Sequence, residues 1–264
     1  MNYSLHHKVL SISVICLLCF VHGCNLNEVV TENPWTNGKQ MAPGNDSILP
    51  DSVKSWLKED ACRLALRDVY SNPQSKNVLI TLPQELVDFY YHGLVHVYNA
   101  SSLSARDSVY EIFRIHTFRR PEMRSIIVAV DSTKSWVINW KNGNRLTGNS
   151  SIDSLMNTYN LQLDKYYPWL FHHAAVLYAE TPVNLFALGK KFDTFDGVLF
   201  TEENRTAGDG NDINAKIEAE YLSIGYSVGW GDCPAGCIHR RYWLFNVKFD
   251  GAVTFVRSYG DVLP

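Results

Sequence analysis

The run Gly229-Trp230-Gly231-Asp232-Cys233-Pro234-Ala235-Gly236-Cys237-Ile238-His239-Arg240-Arg241 holds the chain's densest set of chemically capable side chains. Two thiols four residues apart, followed by an imidazole and two guanidiniums, allow three chemistries. In an oxidising compartment the thiols form a disulfide, and Pro234 and Gly236 supply the tight backbone that brings them together. A zinc site using Cys233, Cys237 and His239 is disfavoured, because the spacing is not C-x-x-C and no second cysteine pair completes four ligands. A redox or nucleophilic cysteine is disfavoured for the same departure in spacing. The expectation is therefore a disulfide that stiffens a hairpin loop and presents Trp230, Asp232, His239, Arg240 and Arg241 to a partner. The competing reading is that Trp230 and Trp243 only pack a sheet edge.

Histidine pairs come next. His92 and His96 share a helix face at i, i+4, the spacing of two metal ligands, but Gly93 stands where the H-E-x-x-H motif needs its glutamate. His172 and His173 are adjacent on an extended segment, so they point to opposite faces and do not easily hold one ion; His116 could join the other histidines only through tertiary folding. Gly208-Asp209-Gly210-Asn211-Asp212, with Glu218, invites calcium, yet Ile213 falls where an oxygen ligand belongs, and a solvated hairpin loop is the simpler reading. Cys62 falls on one helix face with Leu66 and Val69, which reads as a buried, inert thiol. There is no G-x-S-x-G elbow, Walker A loop or G-x-G-x-x-G fingerprint, and neither a metal nor a cofactor is expected.

The elements that must position these groups follow from periodicity. Asp51 or Ser52 can cap a helix carrying Val53, Trp56, Leu57, Ala61, Leu64, Ala65 and Val69 on one face, ended by Asn72-Pro73. Residues 77–82 read as a strand, and Pro83 opens a second helix through Tyr98. A hairpin is expected over 126–140, then a short helix at 152–159, a strand at 174–178, a helix capped by Thr181 with Pro182 at its first position, and a strand at 197–201. The C-terminal part is the most sheet-like: 219–228, 242–249 and 252–256, the last two joined by Asp250-Gly251. Helices early and strands late predict an α+β fold, a mostly antiparallel sheet with helices packed on it and C-terminal β-hairpins.

The first residues read as an export signal. His6, His7 and Lys8 precede an apolar run, Val9 to Val21, too short for the roughly 20 residues that cross a bilayer. The run ends in Val21-His22-Gly23-Cys24, which resembles the lipobox of bacterial lipoproteins. Gly23 and Cys24 fit it and His22 departs from it, so ordinary secretory cleavage near the same bond stays open. The resemblance implies a signal peptide over 1–23 and lipidation of Cys24, and Asn25 in place of Asp leans toward the outer membrane rather than free secretion. The run Gly229–Trp243 also resembles a segment of secreted proteins and lipoproteins of the Bacteroidetes group, closely over these fifteen residues and more loosely back to about Asp60, a resemblance that brings no activity with it.

After the anchor, residues 24–50 hold turn and breaker residues without periodicity and are expected to be a flexible tether, with one globular domain over 51–264. A content of 46% hydrophobic and 19% charged residues suits a folded domain rather than a disordered one. Removing residues 1–23 takes Lys+Arg from 24 to 23 against 27 Asp+Glu, a net charge of −4, which argues against nucleic acid as a partner. The sequence thus points to an envelope-anchored lipoprotein, held to the membrane by its lipid, whose domain binds a protein or glycan partner or serves a structural role. The alternative is a secreted hydrolase, metal-dependent in one version, using His92, His96 or the Cys233/Cys237/His239 loop.

Overall fold

The computed structural model describes residues 34–169 and 172–264, which belong to one compact unit, Glu32–Pro264. The signal segment 1–23, Cys24 and residues 25–33 lie outside the described residues. In chain order the elements are α1 (Asp51–Ser71), α2 (Pro73–Val78), α3 (Gln84–Asn99), α4 (Ser104–Asp107) running into a π-helical turn (Ser108–Ile112), and β1 (Ser125–Val130). Then follow α5 (Val137–Lys141), α6 (Ser150–Thr158), β2 (Leu161–Pro168), β3 (His173–Ala179), α7 (Leu185–Phe192) and β4 (Val198–Glu203). The chain closes on β5 (Asp212–Ile217), β6 (Tyr221–Trp230), β7 (His239–Lys248) and β8 (Val253–Gly260).

The strands form two four-stranded antiparallel sheets, ordered β2-β3-β1-β4 and β5-β6-β7-β8. Each sheet buries one face under helices. The apolar faces of α1 and α3, among them Leu57, Leu66 and Leu94, pack with Ile224, Tyr226 and Phe245 of the second sheet. The first sheet packs Ile126, Val128 and Leu177 against Trp140, Met156 and Leu188 of α5, α6 and α7. The α+β class and the C-terminal hairpins stand as expected; the single sheet becomes two. Gly93 is explained here, since a Cβ on it would lie 2.5 Å from Leu222 Cδ2, so any side chain on α3 at this position would have to push Leu222 of β6 aside.

Several expected elements are corrected. Beyond β1, Asp131 Oδ1 accepts from the Thr133 amide and hydroxyl to make a turn, and the chain then coils into α5 instead of returning as a strand. Val137 and Trp140 are both buried at i, i+3, a helical spacing, but the apolar run 136–138 is short enough to fit a fully buried strand as well. Residues 73–78 are helix, capped by Asn72 Oδ1 on the amides of Gln74 and Ser75, and only Thr81 makes a strand-like bridge, to Val183. The later helix starts at Leu185 with Asn184 as its cap rather than at Thr181-Pro182; buried Asn184 also donates to the carbonyls of Lys76 and Leu79. No side chain caps α1, which follows Pro50 directly. Strands β2 and β5 were not anticipated.

The tether is the largest correction. Within 34–50, Thr36, Met41 and Leu49 are buried, and Met41 and Leu49 belong to the core formed by α1, α3 and the second sheet. The segment has no periodicity because it is held by individual hydrogen bonds to the surface it lies on rather than by a repeating element. The Ala42 amide donates to the Phe249 carbonyl at 2.8 Å, and Lys39 Nζ donates to the Glu218 carbonyl. Asn99 Nδ2 donates to the Asn45 carbonyl, and the Tyr91 hydroxyl donates to Asp46 Oδ2.

Candidate functional site

Along α1, Asp60, Arg63 and Arg67 recur at i, i+3 and i+7, forming a polar stripe beside the apolar one, and Trp56, expected on the apolar face, instead heads this stripe and is exposed. This stripe faces the extended segment 113–124. Arg67 fastens it, donating to the carbonyls of Phe118, Arg120 and Ile213 and pairing with Asp212 at 2.8 Å. Arg63 donates to Thr117 Oγ1 and to the Pro121 carbonyl. Asp60, 2% exposed, accepts the Thr117 amide and hydroxyl on Oδ1 and meets His116 Nδ1 with Oδ2 at 2.9 Å. A buried carboxylate is thus fully hydrogen-bonded and fixes one nitrogen of a half-exposed imidazole.

The other side of that imidazole borders an open cleft of about 860 Å³ between α1, segment 116–125 and residues 204–206. Trp56, 49% exposed, meets the His116 ring edge-on at 5.4 Å, and Tyr178, 41% exposed, reaches the same cleft from β3. Glu59 pairs with Arg63 and Arg124, and Glu122 accepts the amides of Met123 and Arg124. Among the described residues, His116 Nε2 and the side chains of Ser55, Arg119, Tyr178, Arg205 and Thr206 have no hydrogen-bond or ion-pair partner. The hydrogen bond to Asp60 raises the His116 pKa above the ordinary imidazole value, outweighing the opposing effect of burial. Unpaired cations, hydroxyls and two exposed aromatic rings facing one polar cleft can hold an anionic, hydroxyl-rich ligand.

The residues singled out from sequence lie elsewhere. Cys233 and Cys237 are joined as a disulfide in the β6–β7 loop. Around it, Trp230 stacks on the half-exposed His239 at 5.6 Å, and His239 Nδ1 lies 3.4 Å from Asp261 Oδ2. Arg240 pairs with Asp209 at 2.7 Å and donates to Ser227 Oγ, while Arg241 donates to Ser258 Oγ and the Gly260 carbonyl. Asp232 is exposed, and Trp243 is buried against Phe113.

Both donor sets of the metal-dependent alternative are otherwise engaged. The Cys233 and Cys237 sulfurs are bonded to each other. His92 Nδ1 accepts the Gly44 amide, consistent with a pKa lowered chiefly by burial, and His96 Nε2 donates to the Ala42 carbonyl. The calcium reading fails in the same way: Asp209 and Asp212 hold arginines, and Asn211 Oδ1 accepts the Gly229 amide. His172 packs between Trp169 and Phe200, while His173 Nδ1 lies 2.6 Å from the Tyr166 hydroxyl. Among the described residues no group of three or more His, Cys, Asp or Glu is placed to hold a metal, and no helix is long and apolar enough to cross a membrane.

Sequence reasoning missed Asp60, Arg119 and Arg205, and weighed His116 only with the other histidines rather than with Asp60. A signal existed on α1, where charged residues recur at helical spacing beside an apolar face, and in the basic run Arg114 to Arg124; nothing in the sequence joined the two. Compared with protein-family models, curated proteins and solved structures, the chain matches none.

Proposed function

We propose that this chain is an exported lipoprotein, anchored to the envelope through Cys24, whose domain binds acidic saccharides in the Asp60–His116 cleft. One observation carries the ligand class: Arg119 and Arg205 line the cleft without counter-ions, in a chain whose formal net charge is −3. Exposed cations left unpaired in an acidic protein mark where an external anion completes the pairing. The sugar component rests on Trp56 and Tyr178, whose rings offer apolar faces to a pyranose, and on Ser55 and Thr206, which offer hydroxyls. Glu59 and Glu122 in the same wall can accept sugar hydroxyls and would repel a ligand carrying charge on every unit. The lipobox resemblance supports the anchor, which would hold this cleft at the cell envelope.

Calorimetric titration with polygalacturonate and with neutral dextran tests the reading. Saturable binding to the first, none to the second, and at least a tenfold loss in Arg119→Glu is the expected result. Equal binding of both polymers, or of neither, refutes it. Labelling cells with a clickable fatty acid tests the anchor, and label retained in Cys24→Ala removes it.

A further inference from the structure

Arg205 lines a second cleft as well as the first. This second cleft, about 480 Å³, lies beside α7 and the end of β4 and is bordered by Tyr70, Lys76, Arg120, Phe186 and Lys190. Lys76 and Lys190 hold their ammonium groups 4.5 and 5.5 Å from the centroid of the Phe186 ring. Among the described residues, Lys76, Lys190, Arg120 and Arg205 form no ion pair. The neighbouring acids are partly engaged: Glu203 accepts from the Tyr70 hydroxyl at 2.6 Å, and Asp193 accepts from Thr201. Arg119 of the first cleft and Arg120 of the second are consecutive in sequence, so the ridge between the clefts has an arginine in the lining on each side.

From this shared boundary we infer that the two clefts are subsites of one track for a polymeric acidic saccharide, with Arg205 contacting the unit that crosses the ridge. The inference rests on the proposed function and adds chain length to it. Each cleft repeats the same elements: unpaired cations, an aromatic ring beside them, and carboxylates that accept hydroxyls. Such repetition suits a ligand whose own units repeat. The carboxylates in both walls, Glu59 and Glu122 in one and Glu202 and Glu203 in the other, disfavour a polyphosphate backbone with its dense charge. A chain held at both clefts gains affinity because the second contact is intramolecular.

The test compares galacturonate oligomers of two lengths on the folded domain, a dimer and a hexamer. The hexamer is expected to bind at least tenfold more tightly than the dimer. Lys76→Glu combined with Lys190→Glu should lower the hexamer's affinity toward that of the dimer, whereas Arg119→Glu should weaken both ligands. Circular dichroism and an unchanged unfolding midpoint certify that each variant is folded. Dimer and hexamer binding alike would overturn the track while sparing the single-cleft reading. No binding of either overturns both. A single-stranded oligodeoxynucleotide that matched the hexamer in affinity would overturn the saccharide class.

Discussion

His116 Nδ1 lies 2.9 Å from Asp60 Oδ2, and Asp60 holds Thr117 with its other oxygen, so a single buried carboxylate ties α1 to the segment that forms the cleft floor. Asp60→Asn keeps the shape but leaves at least one of these donors facing an amide NH₂. A loss of about 1–3 kcal/mol is expected, the usual cost of a buried group left unsatisfied. His116 gives this loss a pH signature. Its folded pKa is raised, so its contribution to stability is fully present below the unfolded value near about 6.5 and is lost as pH rises through the folded value. Urea titrations across that window should show the slope in the wild type and a flatter one in Asp60→Asn; identical slopes would contradict the pairing.

The same imidazolium should act on ligand binding. As pH falls through the raised His116 pKa, a positive charge appears at the cleft wall, and affinity for galacturonate should rise until the sugar carboxylates themselves take up protons. His116→Gln should remove the pH dependence and leave binding near the wild-type value at high pH. Calorimetry at a series of pH values reads both outcomes, and a profile shared by variant and wild type would exclude His116 as its source.

Cys62 is a free, buried thiol whose pKa burial pushes up to about 11. The thiolate is the reactive species, so the native protein at pH 8 should react with Ellman's reagent far more slowly than a free cysteine, and rapidly after denaturation. Fast reaction in the folded state would place the thiol at the surface.

Joining Cys233 to Cys237 closes a short loop, which restrains the unfolded chain by about 2 kcal/mol on the chain-entropy account. The local consequence should be larger than the global one. The Cys233 carbonyl accepts the Asp209 amide at 2.9 Å, and Asp209 in turn pairs with Arg240. In Cys233→Ser combined with Cys237→Ser, the unfolding midpoint should fall modestly while amide exchange at Asp209 and Gly236 accelerates strongly. Unchanged exchange there would make the disulfide dispensable to the order of the β6–β7 loop.

The sequence was legible where one element repeats one rule. α1, α3 and the Asp250-Gly251 hairpin carry long apolar periodicity or a dedicated turn, and the cysteine pair carries its chemistry in its spacing. Legibility failed where a short apolar run fits either a helix or a buried strand, as at 136–140, and where a cap could be offered by several residues, as at Thr181 and Asn184. The cleft was hidden for a different reason. Asp60 and His116 are 56 residues apart, and each alone reads as an ordinary helix or loop residue. Their meeting depends on Arg67 fastening segment 118–120 to α1 and β5, a tertiary arrangement with no local signature.

Residues 34–50 test how much of the fold can be carried by a segment without periodicity. Met41 and Leu49 are nearly fully buried, while the backbone between them bonds to α3 side chains and to the turn after β7. Gly44 lies so close to Val95 that a Cβ on it would come within 2.5 Å of Val95 Cγ1, a proximity reached only if the segment is held down. A freely moving leader would exchange its amides within seconds and tolerate substitution. Here the Ala42 and Gly44 amides should exchange as slowly as those of α3, because their acceptors are Phe249 and His92 rather than water. Met41→Ala should cost about 2 kcal/mol, the low end for a buried methionine truncation, since Met41 lies at the edge of the core. Gly44→Ala should destabilise as well, by forcing Val95 aside. Fast exchange at both amides together with a neutral Met41→Ala would return the segment to the role of a linker.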